Sequence, residues 1–169
     1  MINKISSEVF AIGFSNFGSI VYLIKLPNQN ILIDTSSKEN KEELISSLSS
    51  LSLSPENINT IILTHNHYDH VENIHLFPNA KIFSHKNIKE LKIKEFKIYK
   101  TPGHSKEDII ILYKNILFSG DVIFHNDYIG RTDFPESNPK QMQESLNFIK
   151  TLKYNLLAPG HWTLKSENF

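Results

Sequence analysis

Side chains that bind metal ions crowd one short stretch of the chain, residues 64–70. Four of its members offer a nitrogen or oxygen donor: His65, His67, Asp69 and His70. In an extended segment, residues two apart point to the same side, so His65 and His67 can share one metal ion. A helical turn after them would carry Asp69 and His70 towards a second, adjacent ion. A surface loop that is rich in histidine by chance is the alternative, and four donors at this spacing argue against it.

Three later donors each follow a glycine at the end of an apolar run. The tripeptide Pro-Gly-His occurs twice, ending at His104 and at His161, and Gly120-Asp121 repeats the pattern with a carboxylate. Glycine permits the positive φ and close backbone approach of a sharp turn, so we expect these side chains to point into a shared cleft. Alternatively, each glycine could simply end a strand and the residue after it could be incidental. That explanation is plausible for one glycine but not for three that precede His, Asp and His. The seven donors together suit two ions that share one ligand.

Imidazole and carboxylate donors suit zinc, with iron and manganese as alternatives. Two divalent ions that share a water lower its pKa from about 16 towards 7. The bridging hydroxide could then attack a thioester, ester or lactone carbonyl. Asp69 could steer that hydroxide. The sequence therefore predicts a hydrolase that needs no serine nucleophile.

Apolar runs in the first half of the chain are the elements that must position the first four donors. Strands are predicted at 8–12, 20–24 and 31–33, an antiparallel meander that ends at Asp34. A helix is predicted at 37–53, and a buried strand at 58–63 leads into the donors. A short helix at 71–77 and a strand at 81–83 follow. Asp34 either orients a ligating histidine or caps the following helix, and the sequence favours neither role.

The second half continues with alternating elements. A short helix is predicted at 87–92, strands at 96–99, 108–113, 116–118 and 156–158, and a helix opened by Asn138-Pro139. No linker or low-complexity stretch divides the chain. We therefore expect one α/β domain over residues 1–169.

Composition excludes several classes of function. The 169 residues carry 18 basic and 18 acidic side chains and no cysteine. A formal net charge of zero predicts neither nucleic-acid nor membrane partners, and the absence of cysteine excludes thiolate sites. The first ten residues do not resemble a signal peptide, so a cytoplasmic location is expected. The expected partner is a small-molecule acyl substrate, and the sequence leaves a homodimer open.

The order of these motifs resembles the metallo-β-lactamase superfamily. The histidine-rich run 65–70, followed by His104, Asp121 and His161, is similar to its signature. The similarity covers essentially the whole chain, with motifs in family order at 32–35, 62–65, 101–104 and 118–121. Within the superfamily, residues 130–135 are similar to the shorter glyoxalase II-like (hydroxyacylglutathione hydrolase-like) hydrolases.

This resemblance implies a four-layer αβ/βα sandwich with a site for two Zn²⁺ ions at the sheet edge. The matching positions divide the donors into two sets and one bridging residue. The first ion would be held by His65, His67 and His104, the second by Asp69, His70 and His161, with Asp121 bridging.

The chain also departs from the family pattern. Glu72-Asn73 stands where small residues are common, and Ser36 replaces the usual glycine after Asp-Thr. Phe169 stands eight residues after His161, so we expect no C-terminal helical domain of the kind that helps glyoxalase II bind glutathione. Two alternatives to a zinc hydrolase stay open: a mononuclear iron dioxygenase of the same superfamily and a non-catalytic, metal-binding regulatory protein.

Other residues near the motifs have simpler expected roles. His75 and His85 are predicted at the surface, and Arg131 with Asp133 as an ion pair. Packing in the core or at the rim is the predicted role of three further side chains, with a place in the substrate pocket as the alternative: Tyr68, His125 and Tyr128. An apolar wall beside the metals is considered for three aromatic side chains, although such residues mostly pack: Phe14, Phe17 and Trp162.

Overall fold

The structure, a computed structural model, describes residues 1–161. The chain divides into two compact units that meet between Phe83 and Ser84 in the sequence. Each unit is built on one β-sheet, and each carries part of the predicted donor set. Whether the units behave as a single domain stays a prediction. No helix within residues 1–161 is long and apolar enough to cross a membrane.

A six-stranded sheet in the order β1-β2-β3-β4-β5-β6 forms the first unit. Its strands are β1 (Ile2–Lys4), β2 (Val9–Ile12), β3 (Val21–Leu26), β4 (Gln29–Ile33), β5 (Ile58–Ile62) and β6 (Lys81–Phe83). The first four strands are antiparallel, as the predicted meander requires, and β5 and β6 add in parallel. The ends of β4 and β5 therefore lie side by side, which brings Asp34 next to the start of the histidine-rich segment.

Helix α1 (Lys41–Ser50) packs its apolar face on this sheet. Leu44 and Leu48 are fully buried among side chains from four strands. The helix is shorter than the predicted 37–53 because a 3-10 turn, Lys38–Asn40, precedes it. Ser52, with a φ of 61°, then turns the chain out of the helical direction at the other end.

The predicted helix at 71–77 is wrong in its bounds. Helix α2 (Tyr68–Val71) begins earlier, and a 3-10 turn over Ile74–Leu76 follows it. Asn73 separates the two because its fully buried amide donates hydrogen bonds to the carbonyl oxygens of Thr35 and Ser37, at 2.9 and 2.7 Å. Helix α2 consequently carries both Asp69 and His70.

The second unit contains a four-stranded sheet in the order β10-β9-β8-β7. Its strands are β7 (Phe96–Lys100), β8 (Ile109–Tyr113), β9 (Ile116–Gly120) and β10 (Leu156–Pro159). The predicted hairpin between β8 and β9 is present, with Lys114 in the left-handed region that such a tight turn needs. Strand β10 pairs in parallel with β9, so Asp121 and His161 follow neighbouring strand ends.

Helix α3 (Pro139–Ile149) covers this second sheet. Asn138 caps it by accepting a hydrogen bond from the Gln141 N–H at 3.1 Å, and Pro139 occupies the first turn. Met142 and Ile149 are buried on its apolar face. The segment predicted as a helix at 87–92 forms only a short 3-10 turn, Ile88–Glu90.

Candidate functional site

His65 and His67 converge within the first unit. They follow β5 in extended backbone, and Nε2 of His65 lies 3.0 Å from Nδ1 of His67. Two nitrogen ligands of a tetrahedral zinc ion, each about 2.0–2.1 Å from the metal, lie roughly 3.3 Å apart. The observed separation is close to that value. The spacing of two residues therefore places both donors where one ion could join them.

Asp69 and His70 form a second pair of donors on α2. Oδ2 of Asp69 lies 3.9 Å from Nε2 of His70, and both residues are buried. The backbone of α2 is held from two sides, because Ser19 N–H donates to the Asp69 carbonyl (2.9 Å) and Thr35 N–H to the His70 carbonyl (2.7 Å). The pair is thus fixed by the main chain of neighbouring loops.

The carboxylate of Asp34 orients His70 rather than capping a helix. Its Oδ2 lies 2.8 Å from Nδ1 of His70, in a site where both side chains are almost inaccessible to solvent. The following 3-10 turn begins after Ser37 and has no side-chain cap. A carboxylate accepts, so Nδ1 of His70 donates the proton and Nε2 carries the lone pair that a metal requires.

Thr64 extends this contact, and sequence reasoning did not identify its role. Its N–H donates to Oδ1 of Asp34 and its hydroxyl to Oδ2, each at 2.8 Å. The same hydroxyl oxygen lies 3.1 Å from Nδ1 of His65. The position directly before the first histidine was the only signal in the sequence for such a role.

The structure shows the surroundings of both departures from the family pattern. Ser36 has a φ of 63°, in the region that favours glycine, although it carries a side chain. Gly18 faces it, and a Cβ on Gly18 would lie 2.3 Å from the Ser36 hydroxyl oxygen. Glu72 accepts a hydrogen bond from the Lys38 N–H at 2.9 Å, while Asn73 anchors α2 as described above. The side chains of Glu72 and Asn73 thus join the segment that includes α2 to the loop after β4.

Three donors lie together in the second unit. Oδ2 of Asp121 is 3.7 Å from Nε2 of His104 and 3.4 Å from Nε2 of His161. Both imidazoles thus face one carboxylate oxygen. Whether Asp121 bridges two metal ions stays a prediction.

The loop after β7 holds His104 through backbone contacts. Nδ1 of His104 lies 2.8 Å from the carbonyl oxygen of Arg131, so it donates and Nε2 again carries the lone pair. Gly103 approaches α3 so closely that a Cβ there would lie 2.4 Å from Cα of Met142. The predicted need for glycine before the ligand is confirmed at this position by close approach, and at Gly120 by a φ of 50°.

Asp108 braces the same loop. Its carboxylate accepts hydrogen bonds from the N–H and the hydroxyl of Ser105, each at 2.7 Å. Burial raises the pKa of Asp108, and the hydrogen bonds from Ser105 and the nearby His104 oppose that rise. These hydrogen bonds close a turn over residues 105–108.

The structure also tests the charged residues and histidines that were predicted to lie outside the site. Arg131 and Asp133 form the predicted ion pair, with nitrogen–oxygen distances of 2.9 and 2.7 Å on the protein surface. Their mutual hydrogen bond raises the pKa of Arg131 and lowers that of Asp133. His75 is exposed as expected, whereas His85 is half-buried, with Nδ1 3.8 Å from Oε1 of Glu107.

The predictions for aromatic side chains are only partly met. Packing in the core is wrong for Tyr68 and Tyr128, which are 58% and 56% exposed, and packing at the rim stays a prediction for both. Phe14 packs against the core of the first unit, while Phe17 is exposed. Burial lowers the pKa of the half-buried His125. Trp162 lies outside the described residues.

Known proteins resemble this chain in both sequence and fold. The sequence profile of the metallo-β-lactamase superfamily matches residues 16–94. A probable metallo-hydrolase of Methanocaldococcus jannaschii is 36% identical over 143 residues, which cover 78% of this chain and 70% of that protein. The hydroxyacylglutathione hydrolase of Buchnera aphidicola is 32% identical over 129 residues. That match covers 64% of this chain and 50% of the Buchnera protein, so the chain spans about half the length of this relative.

A solved structure shares the fold at low identity. A protein crystallised in a di-iron-bound form superimposes with a TM-score of 0.78 and 21% identity. The superposition covers 92% of this chain and 93% of that protein. Similarity at this level of identity establishes the fold alone.

Proposed function

Because this chain belongs to the metallo-β-lactamase superfamily, we propose that it is a metal-dependent hydrolase of thioester or related acyl and lactone bonds. One observation carries the proposal: Oδ2 of Asp121 lies within 3.7 Å of the Nε2 atoms of two imidazoles, His104 and His161. A carboxylate oxygen shared by two nitrogen donors is the arrangement that a ligand common to two ions needs.

The proposed centre holds two ions with the seven donors. The first ion is assigned to His65, His67 and His104, and the second to Asp69, His70 and His161, with Asp121 between them. Support comes from within each unit. His65 and His67 converge at 3.0 Å, and Asp69 and His70 lie together on α2. The assignment of donors between the units follows the order of the superfamily motifs.

The chemistry of the donors fits such ions. Hydrogen bonds at Nδ1 set His70 and His104 in the tautomer that offers Nε2. When bound, two divalent ions lower the pKa of water and polarise a carbonyl oxygen. Asp69 would orient the attacking water, and Asp121 would offset the repulsion between the two positive charges.

Zinc is the proposed metal because imidazole and carboxylate are its usual ligands in the absence of cysteine. Iron and manganese accept the same donors. The solved structure in a di-iron-bound form shares the fold with this chain, so metal analysis of the purified protein must accompany any test of activity.

A small acyl substrate is the proposed partner. Relatives named hydroxyacylglutathione hydrolase support a thioester, but this chain matches only about half of their length. We therefore propose the bond class and leave the thiol group undefined. The zero formal charge supports neither nucleic acid nor an anionic membrane as a partner.

The proposal is tested on metal-free protein reloaded with zinc, iron or manganese and assayed against thioester, lactone and phosphodiester substrates. We expect zinc-dependent hydrolysis of a thioester or lactone that is lost in Asp121→Asn and retained in His75→Ala. Absence of acyl hydrolysis with every metal would overturn the proposal. Activity that needs iron and oxygen would favour the dioxygenase alternative.

A further inference from the structure

We propose that the single carboxylate of Asp34 sets the ring tautomers of two histidines, that of His70 directly and that of His65 through the Thr64 hydroxyl, which acts as a positioning group. The inference rests on the proposed function, because it assigns these two histidines to different ions. All four residues lie in the first unit, and none is more than 2% exposed.

The contact to His70 is direct. Its Nδ1 lies 2.8 Å from Oδ2 of Asp34, and an ionised carboxylate can only accept a hydrogen bond. The proton of the neutral ring therefore resides on Nδ1. Thr64 also lies near this ring, with its hydroxyl oxygen 3.4 Å from the same nitrogen, but the shorter contact to the carboxylate decides the tautomer.

The contact to His65 passes through Thr64. The Thr64 hydroxyl has one proton, and a carboxylate oxygen at 2.8 Å is a better acceptor for it than an imidazole nitrogen at 3.1 Å. With that proton donated to Asp34, the hydroxyl oxygen is an acceptor for His65. Nδ1 of His65 must then carry its proton, and Nε2 carries the lone pair.

Because these groups are buried, removing one of them should affect only the rings that depend on it. Asp34 and Thr64 are each 2% exposed, so water cannot readily replace a lost hydroxyl contact. The Thr64 N–H, 2.8 Å from Oδ1, fixes the orientation of the carboxylate independently of the hydroxyl. Removing the hydroxyl should therefore release His65 while His70 keeps its partner. Removing the carboxylate charge should release both rings.

The test uses long-range nitrogen–proton correlation spectra of the metal-free protein at mildly alkaline pH, where imidazole is neutral. In the wild type, we expect both His65 and His70 to be protonated on Nδ1. Thr64→Val should shift His65 to a mixture of tautomers and leave His70 unchanged, whereas Asp34→Asn should disturb both. Thr64→Ser restores the hydroxyl and should reproduce the wild-type spectrum.

The inference would be overturned by a wild-type His65 protonated on Nε2, or by a His65 tautomer that does not change in Thr64→Val. If the valine variant fails to fold, the wild-type and serine spectra still decide the first point. A loss of the wild-type pattern in Thr64→Ser would also contradict it. These spectra do not depend on hydrolysis, so they can succeed or fail separately from the proposed function.

Metal affinity supplies a second readout. Chelator competition on zinc-loaded protein should show that Thr64→Val lowers the zinc affinity of one of the two sites by about 10–100-fold. This is the usual effect of losing a residue that hydrogen-bonds to a metal ligand. Asp34→Asn should lower the zinc affinity of both sites, and Thr64→Ser should bind zinc with an affinity close to that of the wild type. If Thr64→Val lowered the zinc affinity of both sites equally, it would contradict the claim that Asp34 acts on His70 directly and on His65 through Thr64.

Discussion

Nδ1 of His104 lies 2.8 Å from the main-chain carbonyl oxygen of Arg131. The contact joins the loop after β7 to the segment after β9, and it sets the ring so that Nε2 carries the lone pair. The side chain of Arg131 takes no part in it. That side chain instead pairs with Asp133 at the surface and lies over the ring of Phe134, 4.6 Å from its centroid.

Removing the Arg131 side chain should therefore leave metal binding intact. Arg131→Ala keeps the carbonyl oxygen that accepts from His104, and the lost ion pair is largely exposed. Zinc affinity measured by chelator competition should match that of the wild type, and Asp133→Asn is the matched control. A loss of affinity in Arg131→Ala alone would indicate that the arginine side chain acts directly on the site.

His104→Ala should abolish turnover without unfolding the chain. His104 is one donor on a loop, and the core of the second unit is formed by other side chains, such as Leu117 and Met142. Thermal unfolding of the metal-free variant should stay cooperative, while hydrolysis falls to background. His75→Ala, at an exposed position, should behave as the wild type. Loss of cooperative unfolding in His104→Ala would mean that the site is required for folding.

Gly103→Ala should destabilise the protein and displace the neighbouring ligand. The new Cβ would lie 2.4 Å from Cα of Met142, and backbone atoms of α3 cannot move aside easily. Overpacking of this kind costs about 1–3 kcal/mol of unfolding free energy, which denaturant titration would measure. Lys106→Ala, at an exposed position in the same loop, is the control. Equal stability of the two variants would show that the close approach is tolerated.

Asp121→Asn should selectively lower the affinity for the second metal ion. The amide keeps the shape of the side chain but removes the charge that offsets repulsion between two cations. Turnover should fall by more than the roughly 10–100-fold typical of residues that contact a ligand rather than the metal, with a smaller effect on KM. Full activity of this variant at saturating metal would exclude the bridging role of Asp121.

The motifs were readable from the sequence because each donor, or the run of four donors at 65–70, comes shortly after an apolar strand. Alternating apolar runs predicted the meander that ends at Asp34 and the strand that leads to His65, and both are present. The predicted fold class, an α/β fold of the αβ/βα metallo-β-lactamase type, is confirmed by the superfamily match and by the shared fold of the solved structure. The roles of the seven donors stay predictions.

The contacts around the donors were not readable in the same way. The contacts of the Thr64 hydroxyl and the Arg131 carbonyl oxygen depend on the folded positions of both partners. A backbone carbonyl is present in every residue, so the amino-acid type does not indicate which one accepts a hydrogen bond from a histidine. The bounds of α1 and α2 were missed because the side chains of Asn40 and Asn73, both buried, bond to loop residues. Local propensity does not record such contacts.

The most direct test of the two-metal hydrolase is a titration of activity against metal content. Metal-free protein is given increasing equivalents of zinc, and thioester hydrolysis is followed at each step, with bound metal measured by elemental analysis. We predict that activity rises until two ions are bound per chain and is then constant. Full activity with one bound ion, or hydrolysis by the metal-free protein, would contradict the proposed mechanism.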